Sequence, residues 1–202
     1  MENYLMLNGK QINLTEEQVR NIKQSFGDGN VQLSSLKPGE TFKIGEHEFF
    51  VLEQSGDTTA IILKGLLHKE EKFGSNNNYD GSDVDKLCID FGQEIEQLVG
   101  AENIVEHIID LTADDGLKCY GSVSRKMSLL TANQYRKYVY IIDEHKLDDW
   151  WWLATAFSTA KHNDESWVKC VSPDGIIDDN NDNFINGVRP FCILKSNIFV
   201  SK

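Results

Sequence analysis

The chain has 202 residues, of which 32 are acidic and 20 are basic, so its formal net charge is −12. This charge argues against sequence-independent binding to nucleic acid, because an acidic surface repels the phosphate backbone. No apolar stretch approaches the ~20 residues that span a bilayer, and the N-terminus lacks the segments of a secretory signal. We therefore expect a soluble, cytoplasmic protein with no membrane partner.

The first 30 residues predict a small module of their own. Asn8-Gly9 is a two-residue hairpin turn, because both positions tolerate positive φ. Thr15 and Gln18 form a capping-box pattern at the start of an amphipathic helix that ends near Gly27. A hairpin and one helix hold too small a core to stand alone. We expect residues 1–30 to dock on the rest of the chain or on a partner, and they offer a route to homo-oligomers.

The main domain is predicted over residues 36–202, after a short polar connection at 30–35. Alternating apolar residues predict an antiparallel meander of three strands between 42 and 63. Ser82 caps a helix, a second helical stretch covers about 93–99, and residues 104–112 form a strand in which His107 is structural. Thr131 caps a further helix.

The C-terminal part of the main domain predicts strands again. The triplet Trp150–Trp152 begins a strand with one face toward the core and the other toward either a second core layer or a ligand. Residues 166–178 form a strand–turn–strand unit, residues 178–187 a polar loop, and residues 188–200 a final extended segment. Strands, then helices, then strands indicate an α+β fold. The four cysteines are expected to be free thiols, and a Cys170–Cys192 disulfide is the lesser alternative.

Several segments of the main domain, in this order, resemble one bacterial and phage domain family. They span roughly residues 36–194 and read LKPGETFKIGEHEFFVLEQ, SDVDKLCIDF, MSLLTANQYRKY, WWLATAF, WVKCVSPDGII and NGVRPFCIL. The family is domain of unknown function 6273. The resemblance implies a C-type-lectin-like domain, related to the fold of formylglycine-generating enzymes and variable phage receptor-binding proteins. It implies no activity directly, since a fold does not determine function.

The chain departs from that family at two points. Ala154 and Ala156 stand where the family has Arg and Pro. The closely spaced cysteine pair of formylglycine-generating enzymes is also missing, so their activity is not carried over. Neither a GxSxG elbow nor a phosphate-binding glycine loop is present. We therefore expect a protein that is not an enzyme and needs no cofactor.

Calcium is the one metal that a sequence pattern indicates. Asp178, Asn180 and Asp182 have the D-x-N-x-D spacing of a calcium-binding loop. Asn183 and Arg189, however, stand where an EF-hand has Gly and Glu. The alternative is a solvated turn, which Asn and Asp favour without any metal.

Six residues are candidates for ligand binding. Trp150 is the tryptophan with the fewest constraints from the fold, and it follows two acidic residues, Asp148 and Asp149. His162 and Asp164 form a polar cluster that could bind a ligand or remain a solvated loop. Arg189 lies in an apolar segment, where a paired structural role competes with a ligand-facing one.

These observations favour a non-enzymatic binding module that recognises a protein or a glycan. The resemblance adds a phage or mobile-element origin, and with it a virion-associated location as an alternative to the cytoplasm. A second hypothesis is an acidic inhibitor of a host defence protein, which would cover a basic nucleic-acid channel as anti-CRISPR proteins do. A third is an enzyme whose active site has no recognisable motif.

Overall fold

In the computed structural model, which describes residues 4–7, 10–16 and 29–202, two α-helices pack against mostly antiparallel sheets. The predicted Asn8-Gly9 turn and most of the helix after Thr15 lie outside the described residues. The helices are α1 (Asp83–Val99) and α2 (Ala132–Asp143). The strands are β1 (Tyr4–Leu7), β2 (Lys10–Asn13), β3 (Asn30–Gln32), β4 (Thr41–Ile44), β5 (His47–Ser55), β6 (Thr58–Leu63), β7 (His68–Lys72), β8 (Ile104–Val105), β9 (His107–Asp110), β10 (Ser122–Arg125), β11 (Met127–Ser128), β12 (Trp151–Ala156), β13 (Trp167–Val171), β14 (Ile177–Asn181), β15 (Ile185–Val188), β16 (Phe191–Lys195) and β17 (Phe199–Ser201).

The strands form two large sheets and two small ribbons. One sheet has eight strands in the order β11-β16-β6-β5-β4-β17-β3, with β8 also paired to β16. The other has five strands in the order β14-β13-β12-β15-β7, and its β12–β15 pair is parallel. The α+β class predicted from the order of elements is confirmed. Neither helix in the described ranges is long and apolar enough to span a bilayer.

The central strands are buried on both faces. In β12, Trp152 packs in a first core with Phe49, whereas its neighbour Trp151 packs in a second core with Phe50. Adjacent residues point to opposite faces of a strand, so β12 and β5 separate the two cores. The second face of the tryptophan strand is therefore a second core layer, which was one of its two predicted alternatives. We call these core 1 and core 2.

Each helix covers one core. Ser82 caps α1 by accepting a hydrogen bond from the Asp85 backbone N–H at 3.2 Å, and the helix packs against core 1. α2 starts with a complete capping box, as predicted, and packs against core 2. α1 is one continuous helix rather than the two predicted stretches. Gly92 lies inside it, where an added Cβ would stand 3.1 Å from Met127 Cβ, so this glycine permits close packing.

Several predicted segments have different boundaries in the structure. Residues 30–35 are not a polar connection, because β3 pairs with β17 and a 3-10 turn follows it. The strand predicted over 104–112 is divided into β8 and β9, since the chain changes pairing partner at Glu106. The extended segment predicted over 188–200 is interrupted at Arg189-Pro190 and again at Ser196. Proline has no N–H to donate, so it ends the strand there.

The predicted polar loop at 178–187 is largely a strand. Its first residues belong to β14, which pairs with β13 from Trp167–Asn181 to Val171–Ile177. β14 is the edge strand of its sheet, and polar side chains are common on such edges because one side of the strand meets solvent. All four cysteines are free thiols, and Cys88, Cys170 and Cys192 are buried. Burial raises the pKa of both Cys88 and Cys170 to about 12.

Candidate ligand-binding cleft

Trp150 and its acidic neighbours lie at the start of β12. The Trp150 side chain is 36% exposed, and its carbonyl oxygen accepts a hydrogen bond from the Gly187 N–H at 2.7 Å. Asp148 and Asp149 are exposed, and an Asp149 carboxylate oxygen lies 3.8 Å from the Lys69 ammonium. This end of the strand therefore presents an accessible aromatic side chain beside two carboxylates, of which that of Asp149 lies near Lys69.

The predicted His162 and Asp164 lie beyond the other end of β12. His162 Nδ1 and Asp115 Oδ2 are 2.9 Å apart, and Ser158 Oγ donates to the same oxygen at 2.6 Å. Asp164 accepts hydrogen bonds from the backbone N–H groups of Ser166, which precedes β13, and of Trp167, which begins it. The six predicted residues consequently do not converge, because a whole strand separates Trp150 from His162.

Arg189 is completely buried. Its guanidinium donates to the carbonyl oxygens of Leu63 (2.9 Å), Lys64 (2.8 Å) and His145 (3.1 Å). It also lies 5.3 Å from the ring centre of Trp151, and burial lowers its pKa to about 10. These contacts favour the structural role over direct contact with a ligand.

The calcium candidates do not form a group of acidic ligands. Asp178 and Asn180 lie in β14, and Asp182 is in the turn that follows. No group of three or more His, Cys, Asp or Glu side chains is placed to hold a metal ion within the described ranges. The EF-hand-like interpretation of this segment therefore gains no support from the geometry.

A polar cleft of about 440 Å³ lies between residues 110–116 and the first turn of α2. Seven polar side chains line it: Asp110, Thr112, Asp114, Thr131, Asn133, Arg136 and Thr155. Pockets of 300–1,000 Å³ are typical of small-ligand sites. A depression of about 500 Å³ beside Leu66 and Leu147 is larger but more open and mostly apolar, so it offers fewer groups to orient a ligand.

β12 holds both walls of this cleft. Thr155 Oγ1 accepts a hydrogen bond from the Ala132 N–H at 2.9 Å, which attaches the first turn of α2 to the strand. The Asp114 N–H donates to the Ala156 carbonyl at 2.9 Å, which attaches the opposite loop. Ala154 and Ala156, where the resembling family has Arg and Pro, are buried. The cleft is therefore preorganised by backbone contacts to a strand that both cores immobilise.

The charged side chains of the cleft are paired. Arg136 Nη2 donates to Asp114 at 3.0 Å, and its Nη1 donates to the Asn133 side chain at 2.9 Å. The nearly buried Lys169 ammonium lies 3.7 Å from Asp114. Hydrogen bonds from the Thr112 hydroxyl and backbone N–H lower the pKa of Asp110. Acceptors and donors are thus held in defined positions.

Two exposed aromatic residues lie at the same end of β12 as Thr155, which lines the cleft. The Phe157 N–H donates to the Trp167 carbonyl at 2.9 Å, so the two residues lie opposite each other at the end of the β12–β13 pair. Their side chains are 40% and 41% exposed. The Lys169 ammonium, which contacts Asp114, lies 5.5 Å from the Phe157 ring centre. Lys169 therefore connects the Phe157 ring to Asp114 in the polar cleft.

No local pattern in the sequence identifies this site. Trp152 pairs with Cys170, but Ala156 pairs with Val168 because a bulge shifts the register. Regular pairing would have placed Ala156 opposite Ser166, and Phe157 would then not have met Trp167. Asp114 and Arg136 are 22 residues apart and belong to no motif. Only the folded chain brings these groups together.

Comparison of the chain with protein-family models, with curated proteins and with solved structures found no match. The resemblance to domain of unknown function 6273 therefore stays a prediction from the residue motifs. The cleft is interpreted below from its own geometry and chemistry.

Proposed function

We propose that this chain is a non-enzymatic binding module, and that the cleft beside α2 takes part of a glycan. The observation that carries this proposal is the combination of a preorganised polar cleft with two exposed aromatic rings at its side. Glycans present both surfaces that such a site needs, namely hydroxyl groups and apolar C–H faces.

The polar lining suits a polyhydroxylated ligand. A sugar hydroxyl both donates and accepts, so it is best bound where fixed donors and acceptors alternate. The carboxylate of Asp114 and the guanidinium of Arg136 provide such a pair, and the amide of Asn133 adds both functions. Because these side chains already hold one another, little conformational entropy is lost when a ligand binds.

The aromatic pair supplies the apolar half of the interaction. Phe157 and Trp167 each leave about two fifths of their side chains exposed. Tryptophan is enriched among the interface residues that contribute most to binding. A sugar ring that stacked on either residue would cover apolar surface while its hydroxyls reached toward Asp114.

The carboxylates of the cleft favour binding over hydrolysis. Glycoside hydrolases need one carboxyl group with a raised pKa to act as general acid. In this cleft the pKa of Asp110 is lowered by its hydrogen bonds to Thr112. Asp114 accepts a hydrogen bond from Arg136 and lies near Lys169. Asp110 is therefore suited to accept hydrogen bonds rather than to deliver a proton.

A C-type-lectin-like scaffold and a phage or mobile-element origin complete the proposal. Their support is the ordered set of motifs between residues 36 and 194, together with an α+β architecture in which two helices flank antiparallel sheets. On such a scaffold the ligand would be a protein or glycan of the bacterial host. A chain of this kind would act at the virion or in the host cytoplasm.

The test is binding of the full chain to a panel of immobilised bacterial glycans. We expect Phe157→Ala and Trp167→Ala to weaken binding at least tenfold while thermal stability changes little. Trp150→Ala is the matched control, since this tryptophan is similarly exposed but lies at the opposite end of β12. Loss of binding in Trp150→Ala alone would move the site to the other end of the strand and refute the cleft.

The acidic charge supports the inhibitor as a second candidate. A net charge of −12 would steer the chain toward a basic protein surface, and such binding weakens steeply as salt rises. Glycan binding through paired side chains has a much smaller salt dependence. Titration of a basic nuclease between 50 mM and 500 mM salt therefore separates the two candidates.

A further inference from the structure

A buried carboxylate lies at the turn between β14 and β15. Asp182 is only 4% exposed, and its Oδ1 atom has no hydrogen-bond partner among the residues that the structure describes. Its backbone is held on both sides. The Asp182 N–H donates to the Ser166 carbonyl oxygen at 2.6 Å, and the Asp182 carbonyl oxygen accepts from the Phe73 N–H at 3.1 Å. The side chain is therefore held in a nearly buried position, and burial raises its pKa, although a hydrogen bond from the Asn183 backbone N–H acts in the opposite direction.

Two asparagines contribute further polar atoms to the same turn. Asn186 is 4% exposed, its Oδ1 accepts from Asn180 Nδ2 at 3.3 Å, and its own Nδ2 has no hydrogen-bond partner within the described ranges. The oxygen and nitrogen of an amide are nearly interchangeable in shape. If the amide oxygen and nitrogen are exchanged in both asparagines, Asn186 Nδ2 donates to Asn180 Oδ1 and the hydrogen bond between the side chains is kept. The Asn186 oxygen is then the atom without a partner.

An unpaired carboxylate in a dry site is costly unless a positive charge accompanies it. No Lys, Arg or His side chain forms an ion pair with Asp182 in the part of the chain that the structure describes. Carboxylate and amide oxygens are the ligands that Ca²⁺ prefers. The surroundings of Asp182 thus match a hard cation better than a second protein side chain.

We propose that the turn at residues 180–186 binds one hard divalent cation. Asp182 supplies the charged ligand, and the amide oxygens of Asn180 and Asn186 supply neutral ones. This site differs from an EF-hand-like loop, because Asp178 is exposed and takes no part in it. A single carboxylate with neutral oxygens indicates modest affinity, and the bound ion would join the turn to β7 and to the loop before β13.

The test is thermal unfolding of the full chain with calcium chloride and with EDTA, for the wild type, Asp182→Asn and Asp178→Asn. Calcium at a hundredfold excess over its Kd should raise the Tm of the wild type and of Asp178→Asn by about 5 °C. Asp182→Asn should show no rise. Because Trp167 is the residue after Ser166, its fluorescence should change with the same calcium dependence.

A second measurement protects the test against a variant that fails to fold. Equilibrium dialysis of the wild type should find one calcium ion per chain, with magnesium bound more weakly. Absence of bound calcium, or an equal Tm rise in Asp182→Asn, would overturn the proposal and leave a buried water or a proton to satisfy the carboxylate. Neither result bears on the cleft, which shares no residue with this turn.

Discussion

Replacement of Arg189 by alanine should destabilise the chain more than any surface substitution of a charged residue. The wild-type guanidinium donates to one buried and two partly buried carbonyl groups and packs on Trp151. Leaving a buried carbonyl without a partner costs about 1–3 kcal/mol. The loss is offset in part, because removing a buried charge also removes its desolvation cost.

Three lost hydrogen bonds and this offset give a net destabilisation of about 4 kcal/mol for Arg189→Ala. For a chain of this size the change corresponds to a fall in Tm of about 10 °C. Arg189→Lys keeps the charge but not the planar fork, so we expect about half that loss. Urea unfolding followed by tryptophan fluorescence measures both changes at a constant m-value.

Arg136→Ala is the matched control for Arg189→Ala. Arg136 is half-exposed, and its ion pair with Asp114 should contribute less than about 1 kcal/mol to the free energy of unfolding. The structural interpretation of Arg189 would be refuted if its alanine variant lost less than 1 kcal/mol. A variant that kept its stability but lost ligand binding would instead restore the ligand-facing role.

Three further predictions concern other parts of the fold. Trp152→Phe removes a 2.8 Å hydrogen bond to the Glu71 carbonyl and leaves a cavity, so thermal unfolding should show that the free energy of unfolding falls by about 2 kcal/mol. For the control Trp150→Phe the fall should be under about 0.5 kcal/mol. Equal losses would contradict the difference in burial between the two residues. A disulfide reagent should modify Cys119 quickly in the native chain and all four thiols in denaturant, since the other three are buried, and more than one fast thiol would disagree with this burial. Asp115→Asn should destabilise the chain at pH 7, because hydrogen bonds from Ser158, Leu117 and His162 lower the pKa of Asp115 in the folded state. The stabilisation by the ionised carboxylate is present above the unfolded pKa near 4 and is lost as the pH falls through the lower folded value. Its Tm difference from the wild type should therefore shrink below pH 4, and a constant difference would exclude the ionic cause.

The elements with strong local signals could be predicted from the sequence. The capping box at Thr131, the N-cap residue Ser82 and the alternating apolar residues located α2, the start of α1 and the meander of β4 to β6. Elements that depend on distant pairing could not. β3 has no local strand signal and forms because β17 returns beside it. β14 consists mostly of Asp and Asn, which are uncommon in strands, and it forms a strand because it pairs with β13.

The candidate site was harder to predict than the fold. Trp150 was selected because it is a tryptophan next to acidic residues, and it is accessible as expected. The cleft depends on Asp114, which reaches Arg136 only after α2 and the preceding loop have both attached to β12. The pairing of Phe157 with Trp167 depends on a β-bulge that no residue pattern predicts. Local patterns identify accessible residues, whereas convergence of several groups is a property of the tertiary structure.

The tryptophan strand divides the molecule into a part that determines stability and parts that can determine recognition. All six residues of β12 are buried, and Thr155, the one that lines the cleft, already accepts a hydrogen bond from the Ala132 N–H, so a ligand gains little contact with this strand unless the packing changes. Recognition must therefore involve the ends of the strand, at Trp150 or at Phe157. This separation has a measurable consequence, because substitutions within β12 should change the free energy of unfolding, whereas substitutions at its ends should change binding at nearly constant stability. If the two effects could not be separated, the ligand would have to contact the core strand itself, and neither end would be the binding site.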